Sequence, residues 1–169
     1  MTLFARIAAF LSSGRSPPAA PPAPQPPGVP VYTVGEAPQA PPAALTPRDR
    51  ERLRGVHPDL VRVVERARRD VAFTVICGVR TVEQQRQLVA QGASLTMRSR
   101  HITGHAVDLG PAPLDWGDVG AFRSLAAVVL RAADAEGVAV RWGGTFRDAK
   151  GRPWFDGPHF ELSREKYPG

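Results

Sequence analysis

Between residues 16 and 44 the chain carries 11 of its 18 prolines, interleaved with alanine. Each proline removes a backbone donor and locks φ, so this stretch suits neither a helix interior nor a central strand and is drawn toward extended polyproline II. It reads as a linker. A spacer role outweighs that of a ligand for aromatic-lined grooves, because no matching basic flank accompanies the prolines. The chain therefore divides into a short apolar segment at 1–15, a Pro/Ala-rich linker at 16–45 and a single domain at 46–169, long enough for one modest core.

The run "LFARIAAFL" at 3–11 is interrupted by Arg6 and falls well short of the ~20 residues that span a bilayer. Its charge sits inside the apolar stretch instead of ahead of it, which makes a poor export signal. A frayed terminus is expected, with a short membrane-surface or partner-binding helix as the alternative.

Lysine and arginine number 22 against 16 acidic residues, a formal charge of +6 that favours anionic polymers or surfaces as partners. The arginines are scattered, among them Arg52, Arg62, Arg68 and Arg98, and no aromatic-interleaved stripe suited to stacking bases accompanies them. No nucleic-acid partner is expected. Cys77 is the only cysteine, which rules out an intrachain disulfide and a cysteine-based zinc cluster. Any metal must rest on histidine and carboxylate.

From Thr46 onward the patterning becomes globular. Thr46 as N-cap, Pro47 at the first helical position and Asp49 at the third open a short helix through Arg54. Leu60, Val63, Val64 and Ala67 recur at helical spacing and predict a second helix with one buried stripe. "AFTVICG" at 72–78 is β-branched and aromatic and reads as a strand. Thr81 and Gln84 form a capping box for a helix stopping at Gly92. Asp118 caps a long amphipathic helix with Phe122, Leu125, Ala126, Val129, Leu130 and Ala133 inward and Gly137 past its end. "VAVRW" at 138–142 and "HFEL" at 159–162 read as strands. Helices and short strands mix without regular alternation, so the class is α+β, a small antiparallel sheet with flanking helices.

The chemistry concentrates in "SRHITGHAVDLG", residues 99–110. A helix through His101 and His105 would contain Gly104 and two β-branched residues and lacks the glutamate of H-E-x-x-H, so it is disfavoured. The alternative is a turn at Gly104 leading into a strand. Side chains alternate there, so Ala106 and Asp108 share one face and His105 points to the other. His101 can then fold back toward Asp108. This pair alone is a weak metal signal, and a third ligand is required. His57 stands at a helix start, where a structural or capping role fits better. His159 opens the final strand, three residues after Asp156.

Taken together, Ser99-x-His101-x-x-Gly104-x-Ala106-x-Asp108 followed by Asp156-x-x-His159 resembles the signature of the zinc peptidases that include D-alanyl-D-alanine carboxypeptidases and phage L-alanyl-D-glutamate endopeptidases. The likeness extends through "GVHPDLVRVVERA", "CGVRTVEQQRQLVAQGAS" and "RWGG" to "DGPHFEL", covering about residues 50–163. It implies a hedgehog/D-Ala-D-Ala-peptidase-like zinc fold in which His101, Asp108 and His159 hold Zn²⁺ and leave the fourth position for water. It further implies Asp156 as general base and Arg80 as the group that polarises the scissile carbonyl. Ser99 and Gln85 are implied as supporting or substrate contacts, and His105 stays structural.

The chain departs from the family where related endolysins read "WGGDW" and it reads "WGGTF" at 142–146, which bears on cleft shape and not on the ligand set. The function implied is zinc-dependent hydrolysis of the peptidoglycan stem peptide between L-alanine and D-glutamate, by a monomer acting at the cell wall. D-alanyl-D-alanine carboxypeptidase activity and a non-catalytic, zinc-containing wall-binding module are the alternatives. The export route is left open: a separate holin, or tethering by the tail.

Overall fold

A computed structural model of the protein describes residues 44–148 and 150–169, and the expectations for residues 1–43 lie outside the described residues. Helix α1, Pro47–Arg52, begins at a capping box in which Asp49 N–H donates to Thr46 Oγ1 at 3.1 Å and Thr46 N–H donates back to Asp49 Oδ2 at 3.1 Å. It ends two residues earlier than the sequence predicts, because Arg54 N–H turns tightly back to the Glu51 carbonyl and Gly55 follows at φ 79°. Asp49 does more than cap. Its Oδ1 accepts the Val75 N–H at 2.9 Å and so ties α1 to the first strand.

Helix α2, Pro58–Ala67, buries Leu60, Val63, Val64 and Ala67, the stripe read from the sequence. His57 caps it, with Nδ1 accepting the Asp59 N–H at 3.2 Å. Helix α3, Val82–Ala90, starts at the expected Thr81/Gln84 capping box. Helix α4, Val119–Glu136, starts at Asp118 and stops at Gly137, whose left-handed φ of 66° an L side chain would resist. Along α4 the buried line includes Ala132, while Leu130 is only half-buried.

Four strands form one antiparallel sheet: β1, Phe73–Cys77; β2, Ala106–Pro111; β3, Val140–Trp142; β4, His159–Leu162, in the order β1-β2-β4-β3. β3 is shorter than the five residues expected, since Val138 N–H is still bonded to the Ala133 carbonyl at the end of α4. Val107 and Phe160 pair across β2 and β4 and, with Val75 and Leu109, join the residues of α2 and α4 in the core. Phe160 is fully buried there, and its truncation to alanine would cost about 3–5 kcal/mol. The alternation of side chains leaves the second face of the same strands to Cys77, Asp108, His159 and Glu161. Among the described residues no helix is long and apolar enough to cross a membrane.

Candidate active site

The β2–β4 register sets Asp108 directly opposite His159, and an irregularity between Val75 and Cys77 sets Cys77 opposite Asp108 on the other side. His101 arrives from the turn before β2. That turn closes at Gly104, with φ 72°, whose carbonyl accepts the His57 N–H at 2.8 Å. A Cβ at Gly104 would run into the Gly55 carbonyl, so the close approach also demands glycine. The neighbouring Arg100 is buried and donates to the carbonyls of Leu162 and Tyr167 at 3.1 and 2.8 Å, clamping the turn to the end of β4.

The three side chains converge on one point. His101 Nε2 lies 3.2 Å from Asp108 Oδ1 and 3.2 Å from His159 Nδ1, and His159 Nδ1 lies 3.3 Å from Asp108 Oδ1. Tetrahedral ligands at zinc distances of about 2.0–2.1 Å stand about 3.3–3.4 Å apart, so the triangle fits such an ion. Both rings are oriented from behind. His101 Nδ1 donates to the Gly78 carbonyl at 2.7 Å, which leaves the Nε2 lone pair directed into the triangle, and His159 Nε2 faces Glu161 Oε2 at 3.3 Å.

Electrostatics agree with the geometry. Burial pushes the His101 imidazole below its ordinary value, so it stays neutral. Burial raises the Asp108 carboxyl, but the adjoining His101 and His159 rings and the Arg80 guanidinium outweigh it and hold the group well below the usual carboxylate range. His159 is opposed by burial, yet hydrogen bonds to Asp108 and Glu161 pull it up to about 10. Without a cation at the triangle, a proton on His159 serves as the positive charge between two carboxylates.

Cys77 borders the same point, with Sγ, His101 and Asp108 ligand atoms all within 4.8 Å of one another. The sequence reading, which confines any metal to histidine and carboxylate, excludes it, and the structure corrects that by placing its sulfur beside the two. His101 and Asp108 could therefore share an ion with either Cys77 or His159, and the set with His159 closes with edges of 3.2–3.3 Å. Burial raises the Cys77 thiol, and Arg80 Nε already donates to its sulfur at 3.2 Å. A neutral, engaged thiol is the poorer ligand.

Arg80 also donates from Nη2 to Asp108 Oδ2 at 2.5 Å, which leaves Nη1 without a hydrogen bond among the described residues on a cleft-lining side chain. Asp156 lines the same cleft. Burial and the Asp108 charge raise its carboxyl to about 6, against the opposing pull of His159 and Arg80. Its backbone is fixed by donation to the Gly143 carbonyl at 3.1 Å and by acceptance from the His159 N–H at 3.2 Å. Gly143 permits that approach, because a Cβ there would stand 3.0 Å from the Cβ atoms of both Asp156 and His159.

Of the two further residues, Ser99 lines the cleft and its Oγ accepts the His101 N–H at 3.4 Å. The structure does not bring Gln85 to the cleft. It is fully buried, and Nε2 donates to Ser94 Oγ and the Thr96 carbonyl at 2.8 and 2.7 Å, holding the loop that forms one wall. His105 lies outside the site, its ring 5.4 Å from that of His57. Phe146, from the divergent "WGGTF", lines the cleft with Trp154, 5.7 Å from the His159 ring. Glu161 is the supporting residue that sequence reasoning overlooks. Its one visible signal was the two-residue offset from His159, which places both on one strand face.

A family model for phage L-alanyl-D-glutamate peptidases matches residues 43–163. The L-alanyl-D-glutamate peptidase of Escherichia phage T5 is 34% identical over 126 residues, covering 66% of this chain and 92% of the relative. That of Listeria phage A118 is 38% identical over 89 residues, 53% of this chain but only 30% of the relative. Among solved structures, the Serratia marcescens L-Ala D-Glu endopeptidase ChiX matches with a TM-score of 0.66 at 44% identity, covering 76% of this chain and 96% of that one.

Proposed function

Because the chain belongs to the phage L-alanyl-D-glutamate peptidase family, we propose that it is a zinc-dependent endopeptidase that hydrolyses the bond between L-alanine and D-glutamate in peptidoglycan stem peptides. The observation that carries this reading is the triangle of His101 Nε2, Asp108 Oδ1 and His159 Nδ1, with edges of 3.2–3.3 Å. These three residues would hold Zn²⁺, which when bound supplies a Lewis acid and an acidified water at neutral pH.

The chain's own groups account for the remaining steps. Gly78 and Glu161 orient the two imidazoles, and Arg80 holds the second oxygen of Asp108. Asp156 takes a proton from the attacking water as its oxygen bonds to the alanyl carbonyl carbon. When the C–N bond breaks, the same carboxyl returns that proton to the departing amine of D-glutamate. The free Nη1 of Arg80 donates toward the carbonyl oxygen as negative charge develops on it. The overall positive charge of the chain favours collection on an anionic wall.

The full chain incubated with peptidoglycan should release new N-terminal glutamate. Activity should disappear with chelator and return with zinc. Hydrolysis indifferent to chelation, or release of terminal D-alanine alone, would overturn the reading.

A further inference from the structure

The cleft has a volume of about 260 Å³, and six arginines line it: Arg80, Arg98, Arg100, Arg141, Arg147 and Arg164. Only three carboxylates, Asp108, Asp156 and Glu161, share that lining. All three have work assigned within the site, and a divalent ion at the triangle would add further positive charge. Such an excess in a recessed site selects anions.

The arginines fall into two groups. Arg80 and Arg100 are committed, the first to Asp108 and Cys77 and the second to main-chain carbonyls. The other four stand on separate segments around the opening. Arg141 gives one nitrogen to Glu161 at 3.2 Å and lies over the Phe146 ring at 4.9 Å, a pairing that holds the guanidinium in place. Arg147 gives one nitrogen to the Gly151 carbonyl. Arg98 and Arg164 make no side-chain hydrogen bond among the described residues, although both line the cleft. Guanidinium groups with unused parallel N–H pairs match the geometry of a carboxylate.

A glutamyl residue whose nitrogen is acylated bears two carboxyl groups, and at most one of them continues the chain. At least one carboxylate therefore stays near the scissile bond unless it has been amidated. We propose that the arginine rim, with Arg98 and Arg164 as its uncommitted members, binds this free carboxylate and makes the enzyme discriminate against stem peptides in which it is a carboxamide. The proposal rests on the peptidase reading above.

The test compares three synthetic L-alanyl-D-glutamyl peptides: one with all carboxylates free, one with the glutamate carboxylate amidated and one amidated only at the C-terminus. The full-length zinc-loaded chain should cleave the first with a kcat/KM about 10–100-fold above the second, the value of one or two charge-assisted hydrogen bonds, mostly through KM. Arg98→Gln combined with Arg164→Gln should bring that ratio toward unity. Arg69→Gln combined with Arg123→Gln, which removes the same charge outside the cleft lining, should leave it unchanged. Equal cleavage of the first two peptides by the unaltered chain would overturn the proposal, as would a ratio insensitive to the rim substitutions. Sensitivity to the C-terminal amide alone would overturn the assignment to glutamate. Cleavage of none of the three would instead refute the peptidase reading.

Discussion

Asp108 Oδ1 and His159 Nδ1 face each other across the β2–β4 register at 3.3 Å, with a second carboxylate, Glu161, 3.3 Å from the far nitrogen of the same ring. An imidazole between two carboxylates attracts a cation, and both a proton and a metal ion satisfy that demand. His159, pulled up to about 10, is protonated in the metal-free chain at neutral pH, so metal binding must displace one proton. Apparent zinc affinity should therefore rise about tenfold per pH unit below about pH 10, measured by competition with a chelator at a series of fixed pH values. The sign for stability is opposite. A folded-state value raised above the unfolded one means that the metal-free chain keeps this contribution below pH 6.5 and loses it as pH rises toward 10.

The catalytic pH profile should carry an acid limb from Asp156. Its carboxyl is raised to about 6 by burial and by Asp108, and a general base works only when ionised, so kcat/KM should fall as pH drops below about 6. A cation at the triangle favours the ionised form and moves the limb lower, not higher. Asp156→Asn should retain zinc while losing at least about 100-fold in kcat, read by metal analysis alongside rate. An Asn variant with unaltered kcat would refute the base assignment.

Glu161→Gln removes the charge behind His159 and frees Arg141 from its partner. Zinc affinity should fall by about 10–100-fold while the fold persists, as for other carboxylates that support a ligand histidine. Isothermal titration with zinc, checked by circular dichroism, separates this outcome from unfolding.

Gly143→Ala tests the packing between Asp156 and His159. The added methyl would press on the Cβ atoms of Asp156 and His159 and on the Asp156 carbonyl, so one of the two must shift. A displacement of about 1 Å at a reacting group costs roughly 100-fold. The expected result is a large loss in kcat with a smaller change in melting temperature.

Asp49→Ala should destabilise the domain by about 1–3 kcal/mol in urea unfolding, because it removes an N-terminal capping box and leaves the buried Val75 N–H without an acceptor. Burial raises the Asp49 carboxyl, but hydrogen bonds from Thr46, Val75 and Thr74 outweigh it and leave it below its ordinary value. Its contribution is thus present above about pH 4 and fades as pH falls through the lowered folded value, so the gap between variant and parent should narrow in acid.

Local rules were legible without coordinates. Thr46, Thr81 and Asp118 start helices, Gly137 follows one, and Val107 and Asp108 fall on opposite faces of a strand, because caps, turns and side-chain alternation depend on near neighbours in the chain. The compound motif likewise pointed to His101, Asp108 and His159 through its likeness to a family, and the structure brings all three together.

What escaped the sequence involves pairs separated by long loops. Nothing near Asp49 announces that its second oxygen serves Val75, and Gln85 carries no mark that it is sealed under the 93–96 loop instead of facing the cleft. The placement of Cys77 beside Asp108 depends on strand register. Likewise, Arg98, Arg141, Arg147 and Arg164 are dispersed in the chain and meet around one opening only once the sheet has ordered its strands. Periodicity and capping are set by neighbours a few residues away. Registry and convergence are set by which surfaces can be buried together, and that is settled only when the whole core closes.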